Sequence, residues 1–405
     1  MTHSNTAAAA GAFASLEDAK LADFAAELDA LRGRVMSELG ERDASYIRRI
    51  IKLQRAAEVA GRGALFASAL PPMFALGTAL LALSKILENM EIGHNVLHGQ
   101  YDFMNDPALR GNRYEWDWSC PAEQWRHSHN FVHHTFTNVV GKDRDVGYGL
   151  LRMAEEQPWL VLTILQPVYA LGLMLAFEAG VAVHDLELNR TLTGRKPLNE
   201  FLALAKPLLK KTRKQLLKDY VLFPLLAGPA APLVFAGNLT ANVTRNVWAF
   251  SVIFCGHFPE GTHTYPESVL EGESRGAWYK RQISGSANIE GSPLLHVLTG
   301  HLSHQIEHHL FPDMPAPRYP EIASEVRAIC ERYGIAYNSD TLPKQLASAW
   351  RRILALTLPS AAPAKAPSRT PRVSLRALSS MARRRPRKPK PEPVGAGMKP
   401  QAASL

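Results

Sequence analysis

The sequence has few of the features that mark several protein classes. Its 405 residues include only three cysteines, which are far apart and form no CxxC pair: Cys120, Cys255 and Cys330. This spacing gives no disulfide framework and fits a reducing compartment. The sequence shows no glycine-rich phosphate loop, Walker pattern or internal repeat. It also has no basic-then-apolar signal pattern at its start, because the alanine run at 7–10 is too short. We therefore expect any membrane insertion to use internal segments.

Excess positive charge is missing from the body of the chain and is concentrated at its end. The net charge is +9, but the part from Leu358 onward holds eleven Lys and Arg against one acid and is +10 by itself. We expect residues 351–405, rich in Pro, Ala, Ser and Arg, to form a disordered basic tail. Binding to anionic lipid is its first expected role, and docking of an acidic electron-transfer partner is the second. Nucleic acid ranks last, because no aromatic residue interleaves the charges.

Long apolar runs are present in the interior of the chain. They cover residues 63–87, 158–183, 220–237 and 247–257. About 20 apolar residues suffice to cross a hydrocarbon core of about 30 Å. Pro71 and Pro72 interrupt the first run, which fits either a kinked span or a re-entrant hairpin. The sequence predicts an all-α integral membrane protein with about four membrane-embedded helical segments.

The chain divides into three parts by composition. Residues 1–60 have the pattern of amphipathic helices, and the basic second helix suits either an anionic membrane face or the core of a soluble bundle. Residues 61–350 form the main, membrane-bound domain. Loop 186–219 is rich in Lys and Arg and, like the tail, is expected on the cytoplasmic side. We expect a multi-pass protein of the cell membrane, whose histidine-rich centre lies under a cytoplasmic helical cap.

Histidine is the residue whose distribution is informative. Ten of fifteen histidines fall in three clusters, each close to the end of an apolar run. If residues 301–312 are helical, the histidines at 301, 304 and 308 share one face. Neutral imidazoles at one point suit a multi-metal site, and iron, zinc, copper and nickel all fit the ligand type. The clusters are His94 and His98; His127, His129, His133 and His134; and His301, His304, His308 and His309.

The clusters and their flanks resemble the three histidine boxes of the membrane fatty acid desaturases, in particular the actinobacterial acyl-CoA (stearoyl-CoA) Δ9 desaturases. The matching stretches are GHNVLHGQYDFMNDP, WRHSHNFVHHTFTNVVGKDRDVGYG and HQIEHHLFPDMP. The resemblance extends over about residues 45–350. It implies a centre of two iron ions, O2 as co-substrate, and an acyl chain held in a kinked tunnel. The implied reaction inserts a cis double bond, at Δ9, into a long-chain saturated acyl-CoA.

The resemblance also implies a set of site residues. Gln305 stands where the third box often has its first histidine, so His304 is expected to substitute. The roles of His127, His301, Asn130 and Gln305 are open. Asp143 and Asp145 could orient ligating imidazoles. Trp116, Trp118 and Trp125 are candidates for the tunnel wall. The implied metal ligands are His94, His98, His129, His133, His134, His257, His304, His308 and His309.

The source of electrons and the rival functions complete the expectations. The chain has no HPGG signature of a haem-binding cytochrome b5 domain, and we expect no bound haem or flavin. Electrons would come from a separate flavin and iron–sulfur reductase or a ferredoxin. The nearest rival is a di-iron hydroxylase of alkyl, sterol or carotenoid substrates. A histidine-rich metal carrier is the rival outside the enzymes. A ferritin-like enzyme would need two ExxH motifs, and only Glu91–His94 fits.

Overall fold

A computed structural model describes the backbone of residues 3–359 and the side chains of residues 17–359. Most of that range is helical, as predicted. The expected disordered tail, 351–405, begins too early, because residues 351–355 belong to a helix (Leu342–Ala355) whose Ile353 is buried in a core. From position 360 onward the tail lies outside the described residues, so its disorder and lipid binding stay predictions. The amino-terminal part contains helices α1 (His3–Ser37), α2 (Glu41–Phe66) and α3 (Pro71–Ile86).

Helices α2 and α3 form an antiparallel hairpin, which answers the question left by the two prolines. Pro71 and Pro72 begin α3, where the missing backbone N–H of proline costs no helical hydrogen bond. The two helices approach closely at Gly61 and Gly77. A Cβ on Gly77 would lie 2.8 Å from the backbone nitrogen of Leu65. The prolines therefore turn the chain between two helices and do not kink a span.

Helix α3 continues without a break into the first histidine cluster. A π-helical segment (Leu87–His94) and α4 (Asn95–Leu97) extend it. The resulting run, Pro71–Leu97, has 27 residues and is about 40 Å long at 1.5 Å per residue. Within residues 3–359 it is the one continuous helix that is long and apolar enough to cross a membrane.

The other apolar stretches form shorter or less apolar helices. A 3₁₀ turn (Val161–Leu165) leads into helix α7 (Gln166–Leu175). The next helix, α8 (Phe177–His184), is bent by 102° relative to this pair. The expectation of about four embedded segments is therefore not confirmed. The middle of the chain contains α5 (Ala122–Trp125), a π-helix (Arg126–His133), α6 (His134–Phe136), α7 (Gln166–Leu175), α8 (Phe177–His184), α9 (Leu188–Leu192), α10 (Leu198–Leu217), a π-helix (Lys218–Leu222), α11 (Phe223–Leu226) and α12 (Ala231–His257).

The carboxy-terminal part departs from the all-α prediction by one small sheet. Strands β1 and β2 are parallel, with three residues each, and pair Ile289 with Asp340. Because each strand has only three residues, the sheet is a local contact. It pairs the segment after α13 (Arg275–Ser284) with the segment before α17 (Leu342–Ala355). The elements are α13 (Arg275–Ser284), β1 (Asn288–Glu290), α14 (Pro293–Leu298), α15 (Gln305–Leu310), α16 (Tyr319–Arg332), β2 (Ser339–Thr341) and α17 (Leu342–Ala355). Short 3₁₀ turns occur at Asp102–Met104, Val146–Gly149, Gly228–Ala230, Glu267–Leu270, Leu302–His304 and Ala316–Arg318.

The apolar side chains form two main cores on either side of the histidines. One core joins α7, α8, α12 and α17 around Phe177, Phe250 and Phe254. The other joins α1, α13, α15 and α16 around Phe24 and Tyr319. The second core fixes the predicted helical cap, in which the amino-terminal helix α1 also takes part.

Exposed apolar side chains are confined to one part of the molecule. Among the described residues, all the large hydrophobic side chains that are strongly exposed lie between residues 53 and 239, except Leu294, Leu354 and Leu358. They are densest on α7, α10 and α11 and the start of α12. Such a large apolar surface is a mark of contact with lipid or with another protein.

A cluster of charged side chains is buried between α2, α3 and α12, and we call it the Asp219 cluster. The carboxylate of Asp219 accepts hydrogen bonds from Arg62 at 3.1 Å and from Lys85 at 2.7 Å. Asn242 donates to the same carboxylate at 3.3 Å. Arg62 also pairs with Glu58 at 3.0 Å. Two cations thus meet two carboxylates, and the cluster is electrically balanced.

Candidate metal centre

The first histidine pair lies at the end of the π-helix that continues α3: His94 is its last residue, and His98 follows α4. This wider helical turn occurs in proteins mostly as a short insertion, often at functional sites. It places the rings of His94 and His98 with their centroids 4.6 Å apart. The carboxamide of Asn95, which is bonded to the carbonyls of Glu91 and Gly300, lies 3.1 Å from His94 Nδ1. The pair is therefore held at the end of the long helix.

The second histidine cluster is also on a π-helix. The segment Arg126–His133 and the following α6 carry His129, His133 and His134. The ring centroids of His129 and His133 are 4.9 Å apart, and the two rings stack. Residues four apart in the chain thus present both rings to the same side. The last residue of α12, His257, lies beside them, with its ring 4.8 Å from that of His133.

The third cluster does not form the single helix that its spacing suggested. His301 has a positive φ of 57°, and residues Leu302–His304 form a 3₁₀ turn. Helix α15 begins only at Gln305, and it carries His308 and His309 into the centre. Both of these histidines are fully buried. Because the helix starts after His304, the imidazole of His304 does not share a face with theirs.

The histidines assemble into two adjacent groups. In each group the candidate ligand atoms all lie within 4.8 Å of one another. His134 lies between the groups, with its ring 4.7 Å from His98 and 4.5 Å from His309. This arrangement has room for two metal ions side by side. The groups are His94, His98, His129 and His308, and His133, His257 and His309.

Seven of these imidazoles have a buried ring nitrogen without a hydrogen-bond partner among the side chains of residues 17–359 and the backbone of residues 3–359. A buried polar group without a partner costs roughly 1–3 kcal/mol, and native proteins contain few of them. A concentration at one point is explained if the nitrogens bind metal, because coordination supplies the missing partner. The donor set therefore fits metal ions. The seven residues are His98, His129, His133, His134, His257, His308 and His309.

The side chains around the centre hold several imidazoles by the Nδ1 atom. His133 Nδ1 lies 3.0 Å from Asp143, and His129 Nδ1 lies 3.4 Å from Asp145. His309 Nδ1 lies 3.0 Å from the amide oxygen of Gln282. In each case the unpartnered atom is Nε2. The Nδ1 contacts fix the ring orientation and leave Nε2 directed at the centre, as in known metal sites.

The protonation of the rings suits coordination. Burial lowers the pKa of His134, His308 and His309 well below the usual value of an imidazole. These rings are therefore neutral at physiological pH, which is the form that binds a metal. Burial acts in the same direction at His133, but the carboxylate of Asp143 outweighs it and raises the pKa. A metal ion bound at Nε2 would displace the proton of that atom, while the Nδ1 proton stays on the side of Asp143.

Four of the residues singled out in the sequence lie apart from both groups. His304 is the correction to the expected ligand set, because its ring packs 4.6 Å from His296 and its Nδ1 faces Ser303. His301 lies 2.9 Å from the carboxylate of Glu91. His127 is exposed and stacks on Phe131. Asn130 donates to the carbonyl of Leu97 at 2.8 Å.

Gln305 does enter the centre, although its role was left open. Its amide nitrogen lies 3.1 Å from His257 Nε2. Gln305, at the first position of the third histidine box, thus lies at the centre itself, and His304 does not substitute for it. Sequence reasoning missed Gln282, Thr137 and Tyr319, which contact His308 or His309. Gln282 and Tyr319 are on other helices, α13 and α16, and Thr137 directly follows α6, so histidine spacing carries no signal for any of them.

A buried cavity of about 40 Å³ adjoins both groups. Trp116, Trp118 and Trp125 lie on its wall together with Phe177, next to His94, His129, His133 and His257. A water molecule needs about 10–15 Å³ by the same measure, so the space is narrow. Its aromatic side chains give it an apolar surface next to the histidines.

Comparison with known proteins gives a consistent set of relatives. Residues 69–341 match the family described as "Fatty acid desaturase". The chain is 45% identical over 351 residues to an NADPH-dependent stearoyl-CoA 9-desaturase of Mycobacterium tuberculosis, covering 86% of this chain and 82% of the relative. It is 28% identical over 301 residues to an sn-1 linoleoyl-lipid 6-desaturase of Synechocystis, covering 72% and 83%. An acyl-lipid (7-3)-desaturase of Rebecca salina is 32% identical over 244 residues, covering 57% and 53%.

Proposed function

The chain belongs to the fatty acid desaturase family, and on that premise we propose that it inserts a cis double bond at Δ9 into a long-chain saturated acyl-CoA. Two iron ions and O2 would carry out the oxidation. The observation that carries this proposal is the set of buried ring nitrogens without partners, placed beside a narrow aromatic cavity. A metal carrier would need the nitrogens and would have no use for that cavity.

We assign the ligands from the two groups of histidines. His94, His98, His129 and His308 would hold one ion, and His133, His257 and His309 would hold the other, with His134 between them. His304 is left out, and Gln305 takes its place beside His257. Iron supplies the oxidising power that an unactivated C–H bond requires, since such a bond offers no handle to an acid or base.

The protein's own side chains orient the metal-binding rings, bind the acyl chain and exclude water. Asp143 and Asp145 hold the rings of His133 and His129 through Nδ1, so the ligand atoms stay in place when the charge of the centre changes. The indoles of Trp116 and Trp118 pack the acyl chain against the centre and keep water out. A chain held in this way presents two adjacent CH2 groups in a fixed orientation, which determines the position of the double bond.

The choice of acyl carrier follows the relative with the larger coverage and identity. The mycobacterial protein is named for stearoyl-CoA and for NADPH, whereas the other two relatives are named for acyl lipids. We therefore propose an acyl-CoA substrate and electrons that originate from NADPH. They would reach the iron through a separate flavin and iron–sulfur reductase or a ferredoxin.

The proposed location is the cell membrane, with the centre on the cytoplasmic side. The long helix Pro71–Leu97 and the apolar surface of α7, α10 and α11 support contact with the bilayer. Segment 186–219, expected as a loop, folds as α9, α10 and the start of the following π-helix. Its many Lys and Arg residues favour the cytoplasmic side for this segment and for the histidines that follow the membrane helix.

The test is a fatty acid profile in a host that lacks Δ9 activity and is supplied with the reductase. Wild type should produce a new monoenoic acid, with the double bond located by mass spectrometry, and His308→Ala should produce none. A hydroxy acid in place of the monoene would assign the chain to a hydroxylase. Equal profiles from wild type and variant, with an active reductase and equal amounts of protein, would contradict a fatty acyl substrate.

A further inference from the structure

The buried carboxylate of Glu91 joins three segments of the chain beside the metal centre. Glu91 lies on the π-helix that ends at His94, and it is fully buried. One carboxylate oxygen accepts a hydrogen bond from the hydroxyl of Tyr46 on α2 at 2.7 Å. The other lies 2.9 Å from Nδ1 of His301, which directly precedes the 3₁₀ turn before α15. Glu91 belongs to neither of the two histidine groups, so metal binding does not explain its burial.

A second contact joins the π-helix to the segment that carries His301. The carboxamide of Asn95 donates to the carbonyl of Gly300 at 3.4 Å and to that of Glu91 at 3.0 Å. A Cβ on Gly300 would lie 2.3 Å from the carbonyl oxygen of Met90, so only glycine permits this close approach. His301 follows in a left-handed conformation, with a φ of 57°. The backbone before α15 thus lies directly against the π-helix, and the side chains of Glu91 and Asn95 hold it there.

The two segments that Glu91 and His301 join carry ligands of the same histidine group. His94 and His98 follow Glu91 on the long helix and at its end. His308 follows His301 on α15. The ring centroid of His308 lies 4.8 Å from that of His94 and 4.7 Å from that of His98. Because Glu91 and His301 are 210 residues apart in the chain, the distance between these rings depends on how the two segments pack.

The rings of this group have few charged partners of their own. We call the group of His94, His98, His129 and His308 the first group, and that of His133, His257 and His309 the second group. Among the described side chains of the first group, only His129 faces a carboxylate, that of Asp145. Nδ1 of His94 lies 3.1 Å from an amide oxygen, and Nδ1 of His308 lies 3.4 Å from a phenol oxygen. Because hydrogen bonds to neutral partners are weaker than those to a carboxylate, the placement of these two rings depends on the segments that carry them.

A second buried carboxylate, that of Asp43, gives a matched comparison. Asp43, at the start of α2, accepts hydrogen bonds from two nitrogens of Arg318 at 2.7 and 2.9 Å. Both residues are buried, and they are 275 residues apart in the chain. This pair joins α2 to the 3₁₀ turn Ala316–Arg318, and in the described part of the chain neither side chain forms a hydrogen bond or ion pair with a histidine. If Glu91 only stabilised the packing of segments, its loss would affect the metal centre no more than the loss of the Asp43 pair.

We propose that Glu91 and His301 are a positioning pair, which sets the distance between His308 and the first histidine pair and thereby completes the first metal site. The inference rests on the proposed function, because it takes the two histidine groups as two iron sites. It assigns a role to His301, which lies outside both groups, and to a buried carboxylate that touches no ligand ring. Loss of the pair should weaken iron binding at the first group and leave the second group unchanged.

Competition between the purified full-length protein and an iron chelator measures the affinity of each site. Two variants first assign the iron ions to the groups. His308→Ala should remove the ion of the first group, and His309→Ala should remove that of the second. The ion that remains in each variant then reports one site alone, and its affinity is compared with the matching step in the titration of wild type.

Two deletions and two conservative variants test the pair itself. Glu91→Leu removes the carboxylate, and His301→Gly removes the imidazole while it tolerates the left-handed backbone. Each should lower the iron affinity of the first site by about tenfold, the lower end of the effect of losing a partner outside the ligand set. Glu91→Gln can still accept from His301 and bond the hydroxyl of Tyr46, and the amide nitrogen of His301→Asn can take the place of Nδ1. Both conservative variants should retain most of the affinity.

A double variant and a control separate positioning from general stability. Glu91→Leu combined with His301→Gly should lower the affinity no more than either change alone, because each removes the same contact. Arg318→Gln breaks the comparison pair, so it should lower the denaturation temperature and leave both iron affinities per folded molecule as in wild type. If Glu91→Leu does not fold, His301→Gly and its comparison with His301→Asn decide the question.

The outcomes distinguish the positioning role from the proposed function. A first-site affinity that is unchanged in the deletions would overturn the positioning role, whatever the product assay shows. An equal loss at both sites, or the same loss in Arg318→Gln, would also overturn it, because the effect would then be general destabilisation. If wild type binds two iron ions and does not desaturate stearoyl-CoA, the proposed function is wrong, and a selective loss at the first site still supports the pair. A wild type that binds no iron would overturn both.

Discussion

The histidine centre and the Asp219 cluster are both buried, polar and built from side chains of several helices, but only one of them is complete. In the Asp219 cluster, Arg62 and Lys85 meet carboxylates, and none of the side-chain nitrogen and oxygen atoms of Arg62, Lys85, Asp219 and Asn242 is buried without a partner. In the histidine centre, seven rings have a buried nitrogen without a partner in the part of the chain that the structure describes. A complete cluster stabilises helix packing, whereas an incomplete one indicates a bound group.

The largest effect is expected from removing a histidine of the centre. His308→Ala should abolish desaturation and lower the bound iron, because it deletes a ligand of one group. His304→Ala is the matched control, since that ring lies outside both groups, and it should keep activity within about twofold, as expected of a side chain without a functional partner. Iron by mass spectrometry and product by gas chromatography measure both. Equal loss in the two variants would contradict the proposed ligand set.

The next largest effect is expected from unbalancing the complete cluster. Asp219→Asn leaves Arg62 and Lys85 buried with too little negative charge, and breaking a buried ion pair in this way costs roughly 3–5 kcal/mol. We expect a large fall in the denaturation temperature. The iron bound per folded molecule and the activity per iron should stay as in wild type. A selective loss of iron with normal stability would show that the two clusters are not independent.

A smaller effect is expected from the carboxylates that hold the rings. Asp143→Asn keeps the size of the side chain and the one oxygen that accepts the backbone N–H of Asn138. It removes the oxygen that accepts the backbone N–H of Asp145 and the charge beside His133. Loss of such a partner lowers metal affinity or activity by about 10–100-fold. A competition titration with a chelator measures the affinity. Wild-type affinity would assign Asp143 a role in the loop alone.

The smallest expected effect is the contribution of bound iron to the stability of the folded protein. Removing iron with a chelator should lower the denaturation temperature, because a ligand that binds only the folded state stabilises it. Asp219→Asn should show the same iron-dependent shift as wild type, on a lower baseline. His308→Ala should show little or none. A shift of the same size in His308→Ala would mean that the iron is held elsewhere.

The centre could be predicted from the sequence to the extent that its residues are close together in the chain. His94, His98, His129, His133 and His134 lie four residues apart or adjacent, and helical geometry brings such residues together. The same rule misplaces His304, because it assumes a helix over residues 301–312 and the helix begins only at Gln305. The turn before it depends on His301 in a left-handed conformation, which nothing in the spacing shows.

The long-range partners and the membrane segments were harder to predict. Gln282 on α13 and Tyr319 on α16 reach the centre because both helices pack with α15 in one core, and that packing has no local signature. The sequence predicts separate segments at 220–237 and 247–257, whereas α12 joins the end of the first run to the second. Its polar residues Asn238, Asn242 and Arg245 are buried, so the apolar content of the sequence underestimates the length of this buried helix.

The continuous helix from Pro71 to His94 makes the spacing between the hairpin turn and the first histidines a fixed length. Each residue adds about 1.5 Å and turns the helix by about 100°. An insertion or deletion of one residue anywhere in this stretch would rotate the first histidine pair away from the other rings and shift its depth relative to the membrane. Substitutions along the exposed side of α3 can be tolerated, but its number of residues cannot change.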